Sequence, residues 1–200
     1  MANNVLFYSR KGGQGKTTHA VGYAHYSKSS LVTNDFGNST VSIYKDLFSE
    51  EGQTITELKP DQQDVDVSED RGNVFDFGGF MDSRVIAVAK FVDYCVVPIY
   101  YQSKADLSPS VQTIVELEKY NKNIVIVINN TEKKDAELLE ESLQERFSYP
   151  IFTIPKSRFI NRLPDEGKSV FQLSEEGGLN KHMLRNLLPR IEEFYSYLSK

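Results

Sequence analysis

The sequence predicts an α/β domain of the doubly wound kind, with one mostly parallel sheet and helices on both of its faces. Two observations carry that expectation. Apolar runs recur at 4–8, 30–32, 74–77, 94–99, 124–128 and 151–154, nearly all β-branched or aromatic and with little alternation, which is how strands buried on both faces read. Segments with helical recurrence of apolar positions lie between most of them, and strands alternating with helices imply parallel pairing.

The first strand, 4–8, runs into a Gly/Lys-rich turn and then a helix over 17–27. A second strand at 30–32 follows. Residues 49–71 are polar, acidic and interrupted by Pro60, so they read as an irregular connection with one short element around 54–58 and not as a domain boundary. Then come strand 74–77, helix 82–91, strand 94–99 and helix 108–120, whose Val111, Ile114, Val115 and Leu117 show helical spacing. Strand 124–128, helix 134–146 and strand 151–154 continue the alternation. Residues 180–200 place Leu184, Leu187, Leu188, Ile191, Phe194, Tyr195 and Leu198 on one stripe, interrupted by Pro189. An internal proline removes a hydrogen bond and clashes with the preceding turn at a cost of about 3 kcal/mol, so a kink is expected, or two helices with Pro189 in the first turn of the second.

A chain of 200 residues and 22.8 kDa, 40% hydrophobic and 26% charged, fits a single cored domain spanning 1–200, with the helical segment 180–200 packed on it. The net charge of −5 and pI near 5.3 argue against nucleic-acid binding through overall charge, which leaves only a local basic patch. One cysteine, Cys95, excludes a disulfide framework and a cysteine-ligated metal or iron–sulfur site within one chain, and it reads as a buried small hydrophobe. A cytoplasmic location is expected. No apolar run approaches the roughly 18 residues of a spanning helix, and no signal-peptide pattern opens the chain. His19, His25 and His182 have no metal-ligand spacing.

The most informative stretch is Ser9-Arg10-Lys11-Gly12-Gly13-Gln14-Gly15-Lys16-Thr17-Thr18, between a strand and a helix. Glycines let a loop fold tightly enough to aim successive N–H groups at phosphate oxygens, and the following helix adds its positive end. Lys16 suits the β- and γ-phosphates, the Thr17 hydroxyl suits Mg²⁺, and Thr18 suits the α-phosphate. The strict pattern G-x-x-x-x-G-K-[ST] fails at Arg10; K-G-G-x-G-K-[ST], the deviant Walker A with an additional lysine at Lys11, fits.

Here the chain resembles the ParA/MinD family of ATPases, over most of its length. The resemblance implies a P-loop NTPase fold of the SIMIBI type, with ATP and Mg²⁺ as cofactors. It also implies that Lys11 reaches across a two-fold interface to the partner's nucleotide, so that ATP closes two protomers into a homodimer. After the second strand the family reads D-x-D-P-Q where this chain has Thr33-Asn34-Asp35-Phe36-Gly37; Asp35 matches the second aspartate, which positions the attacking water, and Thr33 replaces the first. A structural alternative is that Asp35 caps a turn or a helix beginning near Ser39. At the end of the third major strand, Asp76 is the Walker B candidate that would hold Mg²⁺ through water. Asp76-Phe77-Gly78-Gly79 reads D-x-x-G, so the Gly79 backbone N–H can approach the γ-phosphate.

By the same resemblance Asn129 meets the adenine base, although Asn129-Asn130 is equally an ordinary turn. Pro155 and Lys156, in a segment similar to the family's I-P-[RK], would sit near the base, and Asp106 would line the dimer face. Lys156, Arg158, Arg162, Lys168, Lys181, Arg185 and Arg190 make the C-terminal quarter the most basic region, and related partition ATPases hold nonspecific DNA with such residues. Interspersed Asp165, Glu166, Glu175, Glu176, Glu192 and Glu193 leave open a solvated mixed-charge face. A membrane-targeting tail is the less favoured reading of 180–200, since Glu192 and Glu193 stand on its polar face.

The expected function is therefore a Mg·ATP-dependent dimerising ATPase that partitions plasmid or chromosomal DNA, with a ParB-like adaptor stimulating turnover and with Lys11, Lys16 and Asp35 as its catalytic residues. The alternative is a nucleotide-gated positioning module, MinD-like or on a polar scaffold, that hardly hydrolyses ATP; Thr33 favours it. A metabolic enzyme of the dethiobiotin synthetase type would need an acceptor-site motif that is not visible. Electron transfer of the nitrogenase-reductase kind is excluded, because Cys95 alone cannot ligate a bridging cluster.

Overall fold

Every residue of the first strand is buried, and the strand's alternate side chains feed two different cores, which is why its sequence carries no polar alternation. Val5 and Phe7 point to one face of the sheet, Leu6 and Tyr8 to the other. The computed structural model describes residues 3–37, 40–50, 52–79, 81–101 and 104–200, without the side chains of residues 50 and 104–106. Its strands are β1 Val5–Ser9, β2 Ser30–Thr33, β3 Ile55–Glu57, β4 Asn73–Gly78, β5 Tyr94–Ile99, β6 Ile124–Thr131 and β7 Ile151–Pro155. They form one 7-stranded, wholly parallel sheet in the order β3-β2-β4-β1-β5-β6-β7. Val5 lies opposite both Val74 of β4 and Tyr94 of β5, so β1 is the central strand.

Helices α1 Lys16–Ser27 and α2 Thr40–Glu50 cover one face together with the C-terminal helices. Those are α6 Leu163–Glu166, α7 Val170–Glu175, α8 Gly178–Leu184 and α9 Leu188–Leu198, preceded by a 3₁₀ turn at Ile160–Arg162. On the opposite face lie α3 Ser83–Phe91, α4 Lys104–Leu117 and α5 Lys133–Gln144, packed on Phe75, Phe77, Val97, Ile99, Ile126 and Ile128. Chain order therefore reverses direction across the sheet at β1 and β4. The loops leaving these two strands turn to opposite faces, which opens a crevice at their carboxyl ends.

Strand positions agree with the sequence pattern within one to three residues at each end, and β3 is the short element near 54–58. The possible helix beginning near Ser39 is α2, whose Tyr44, Leu47 and Phe48 recur at helical spacing, whereas α6 and α7 are too short to display a period. The last of these is closed by a capping box, in which the Ser169 hydroxyl accepts from the Gln172 N–H and the Gln172 side chain reaches back. Helix α4 begins at Lys104, ahead of the expected 108, so Pro109 lies beyond its first turn and not within it. The proline-interrupted C-terminal stripe resolves into two helices, α8 and α9, with Pro189 in the first turn of α9.

Helix α9 turns Ile191, Phe194, Tyr195 and Leu198 inward onto α1, β1 and β7. Phe194 meets Phe7, Phe152 and His19 at ring separations of 6.4, 5.4 and 5.7 Å. The Tyr23 hydroxyl and the Asn3 amide both donate to the Leu198 carbonyl, which ties down the helix end. An apolar face spent on this packing is not presented to a membrane. Among the described residues no helix is long and apolar enough to cross one.

Close approach of α9 to α1 requires Gly22, where any Cβ would overlap the Tyr195 hydroxyl. An alanine in mid-helix ordinarily stabilises by roughly 0.5–1 kcal/mol over glycine. Gly22→Ala should instead destabilise by about 1–3 kcal/mol through overpacking, read as a lower urea midpoint. Adding Tyr195→Phe, which deletes the obstructing oxygen, should recover part of that loss, whereas an additive double variant would refute the contact.

Candidate nucleotide site

The loop between β1 and α1 leaves the first turn of α1 open. Gly15 is the N-cap, in the left-handed region at φ 86°, and no side chain caps the helix's free N–H groups. Gly13, at φ 73°, makes the other bend that an L side chain resists. Uncapped amides and the positive helix end together form an anion site. Above them opens a cavity of about 440 Å³, walled by Gly12, Gly13, Lys16 and Thr17 on one side and by Asn34, Asp35, Asp76, Gly78 and Gly79 on the other, with Arg10 at its edge. A second cavity of about 430 Å³ lies between β7, α5 and α9. Only the first holds a helix N-terminus facing a lysine and a buried carboxylate, and it sits at the reversal point of the sheet.

The two lobes of the cavity interlock. The Thr17 hydroxyl donates to Asp76 Oδ2 at 2.7 Å, while Oδ1 of the same carboxylate is buried without a hydrogen-bond partner among the described residues. Burial pushes the Asp76 carboxyl up to about 6, opposed by the Lys16 ammonium and the Thr17 hydroxyl and assisted by the charge of Asp35. Lys16 lies across Gly78, where a Cβ would stand 2.9 Å from Cε and 3.0 Å from Nζ. Asn34 clasps the same glycine by both ends of its peptide environment: its Oδ1 accepts from the Gly78 N–H at 2.9 Å and its Nδ2 donates to the Gly78 carbonyl at 3.2 Å. The Tyr8 hydroxyl donates to the Gly79 carbonyl at 3.0 Å. Asp35 is half-buried at the cavity wall, and its N–H donates to the Thr33 hydroxyl at 3.1 Å.

These residues fit a magnesium-bound triphosphate. A carboxylate oxygen left unpartnered in a dry site, next to a threonine hydroxyl, is the donor set a cation with few protein ligands uses, Mg²⁺ keeping its other positions for phosphate and water. Among the described residues no cluster of three or more His, Cys, Asp or Glu side chains could hold a metal ion.

Of the sequence-derived candidates, Gly12, Gly13, Lys16, Thr17, Asp35, Asp76 and Gly79 converge on the cavity. Others do not line it. Lys11 is half-buried beside the loop, its N–H donating to the Ser9 hydroxyl, and Thr18 lies further along α1. Gln14 is buried and holds the loop to the end of β5, its Oε1 accepting from the Tyr100 N–H at 2.9 Å. Arg10, where the ordinary Walker A has glycine, reaches α4 and pairs with Glu116 at 2.6 Å. The side chain of Asp106 and residue Ser39 lie outside the described residues.

Asn129, expected from the resemblance to meet a base, is engaged inside the protein. It is 3% exposed, its Nδ2 donates to the Gln14 carbonyl at 3.0 Å, and its Oδ1 faces His19 Nε2 at 2.8 Å, so both ends of the amide are spent inside the protein. Pro155 lines the second cavity, and the Lys156 ammonium lies 3.1 Å from Glu132 at the surface. Sequence reasoning missed Asn34, Tyr8, Glu116 and the His19–Asn129 pair. Their partners are distant in sequence, and only the motif's proximity could have flagged Asn34.

The C-terminal basic residues divide into two sets. Lys156, Arg162, Lys168 and Arg190 form ion pairs with Glu132, Glu166, Glu176 and Glu193 respectively. Arg158, Lys181 and Arg185 are exposed and carry no ion pair among the described residues.

No protein-family model matches the chain, and no curated sequence matches it either. Solved structures do. A protein assigned to plasmid partition from Borrelia burgdorferi, bound to AMPPNP, superposes with a TM-score of 0.64 at 16% identity, over 98% of this chain and 99% of its own. The septum site-determining protein MinD of Pyrococcus horikoshii, complexed with Mg-ADP, gives 0.65 at 13% identity over 100% of both chains. A ParA family ATPase of Chlorobium tepidum gives 0.59 at 16% identity over 94% of this chain and 98% of its own. The chain thus has the fold of the ParA/MinD ATPases.

His19 is fully buried, and burial pushes its imidazole down to about 4, partly countered by its bond to Asn129. A group whose native value lies below its unfolded one of about 6.5 must fold neutral, so its stabilisation is complete above that value and is lost as pH falls toward 4. The loss by pH 5 should be about 2 kcal/mol. Asp76 works in the opposite sense below about 6, so the comparison is between wild type and His19→Gln: the wild-type urea midpoint should drop more between pH 7.5 and 5. Equal drops would show that His19 does not govern this window.

Proposed function

We propose that this chain is a Mg·ATP-dependent ATPase of the ParA/MinD type, which closes into a homodimer on ATP and resets on hydrolysis. The observation that carries the reading is the open N-terminus of α1 facing Lys16 and the Thr17–Asp76 pair, whose free Oδ1 awaits a cation. The main-chain amides from Gly12 to Lys16 hold the phosphates, with Thr18 at the α-phosphate, and Lys16 offsets charge on the transferring group. Thr17 and Asp76 hold Mg²⁺, Asp76 through water; the ion when bound supplies further neutralisation of phosphate charge. Asp35 orients the attacking water, and the Gly79 N–H approaches the γ-phosphate. Lys11, standing outside its own cavity, is directed to the nucleotide of the second copy. Pro155 and Lys156 border the base from the end of β7.

Partition of plasmid or chromosomal DNA in the cytoplasm, with a ParB-like adaptor, is the cargo function we assign, supported by the Borrelia burgdorferi protein's assignment to plasmid partition. Arg158, Lys181 and Arg185 are the residues left to hold nonspecific DNA, since the other four cations are paired. A positioning module with little hydrolysis is the second reading. It is favoured by Thr33, which is buried where the family carries its first aspartate and has its hydroxyl bound to the Asp35 amide.

Lys16→Ala should abolish binding of fluorescent ATP, whereas Lys11→Ala should retain it and fail to dimerise with ATP in light scattering. An unchanged ATP-dependent dimer in Lys11→Ala would remove the cross-interface role. Phosphate release under saturating ATP, with and without DNA, separates the two readings. For DNA, gel shifts in rising salt should retain duplex with a slowly hydrolysed ATP analogue and lose it with ADP. Arg185→Ala combined with Lys181→Ala should lower both the affinity and its salt dependence. Equal retention in both nucleotide states would reject nucleotide-gated DNA binding.

A further inference from the structure

A chain of buried polar groups runs from the C-terminal helix to the phosphate loop. The Tyr195 hydroxyl of α9 lies 3.2 Å from the His19 carbonyl, to which it donates, and 3.4 Å from His19 Nδ1. His19 Nε2 meets Asn129 Oδ1 at 2.8 Å, and Asn129 Nδ2 donates to the Gln14 carbonyl at 3.0 Å. The order of donors fixes the chemistry. Because the Asn129 amide nitrogen is committed to a carbonyl, its oxygen must face His19, so the imidazole proton sits on Nε2, and Nδ1 is an acceptor that shares the one Tyr195 hydroxyl proton with the His19 carbonyl. Rings hold the imidazole in that pose: Phe194 and Tyr195 approach it edge-on, at 5.7 Å and 80° and at 6.3 Å and 89°.

The far end of this chain is the Gln14–Gly15 peptide at the mouth of α1. The bond between Gln14 and Gly15 is trans, so its C=O and N–H point in opposite directions. Anchoring the Gln14 carbonyl on Asn129 turns the Gly15 N–H away from β6, toward the open side of the loop. The contact also explains Gly15 independently of its φ, since a Cβ there would overlap the Asn129 amide nitrogen. Asn129, His19 and Tyr195 are 3%, 1% and 1% exposed, so water cannot replace a lost partner and each member depends on the next.

We propose that Asn129, His19 and Tyr195 are positioning residues that aim the Gly15 amide at the phosphates, making α9 a working part of the nucleotide site. The inference rests on the phosphate-site reading above. It carries a reciprocal consequence: if docking of α9 favours the binding-competent loop, bound phosphate must favour docked α9 to the same extent.

The test measures Mg·ATP binding with a fluorescent ATP analogue, together with hydrogen exchange of the α9 amides. Asn129→Asp, whose carboxylate cannot donate to Gln14, and His19→Met should each weaken binding about tenfold while melting cooperatively. His19→Gln restores an amide donor toward Asn129 and should recover most of that loss, which a merely space-filling role does not predict. Tyr195→Phe keeps the ring and should weaken binding by about two- to fivefold. In wild type, nucleotide should slow exchange in α9, and His19→Met should blunt the effect. If Asn129→Asp or His19→Met does not fold, Tyr195→Phe and the wild-type exchange experiment decide. Folded variants with wild-type affinity, or α9 exchange indifferent to nucleotide, overturn the inference. Failure of wild type itself to bind the analogue overturns the phosphate-site reading instead.

Discussion

The site depends on one unsatisfied helix end. Helix α1 begins with a left-handed glycine and no side-chain cap, so its first N–H groups have no partner within the helix, and the fold leaves them at the bottom of a cleft. A buried chain cannot leave donors idle without cost, and an anion is the partner that both the dipole and the hydrogen-bonding requirement favour. The parallel sheet supplies the place. Chain order reverses between β1 and β4, so no crossover helix covers their carboxyl ends, and the loop after β1 faces the loops after β2 and β4.

A second tension sits opposite the first. Asp76 is buried at the end of β4 with one oxygen satisfied by Thr17 and the other by nothing, and its carboxyl is accordingly pushed toward neutrality. The pocket thus sets uncapped amides at α1 on one wall against a buried carboxylate at Asp76 on the other. Asn34 and Tyr8 keep the backbone of Gly78 and Gly79 in place around that gap. The glycines there are required by contact as much as by dihedral angle: at Gly78 a side chain would displace Lys16.

The C-terminal quarter contributes structure before it contributes charge. Its apolar stripe fills one of the two cores, and its tyrosine reaches the phosphate loop through His19 and Asn129. Much of its positive charge is neutralised locally by glutamates one turn away or on neighbouring helices, and exposed pairs of this kind contribute little stability. Arg158, Lys181 and Arg185 are among the cations that carry no ion pair within the described residues, in a protein of net charge −5.

The sequence alone was enough for the strand succession, the parallel sheet, the split of the C-terminal helix at Pro189, and the loop glycines with Lys16, Thr17 and Asp76. Each of these is a local property: the period of apolar residues, the fixed φ of proline, or a motif whose spacing is its geometry. Tertiary structure alone decided how the loop is held. Arg10 finds Glu116, Gln14 finds the Tyr100 amide, and Asn129 finds the Gln14 carbonyl, all through contacts between residues about a hundred positions apart. Such pairings follow from which strands are neighbours in the sheet and which helix lies over them. A one-dimensional pattern does not contain that order, because short polar side chains carry no period and satisfy whichever buried partner the packing brings within 3 Å or so.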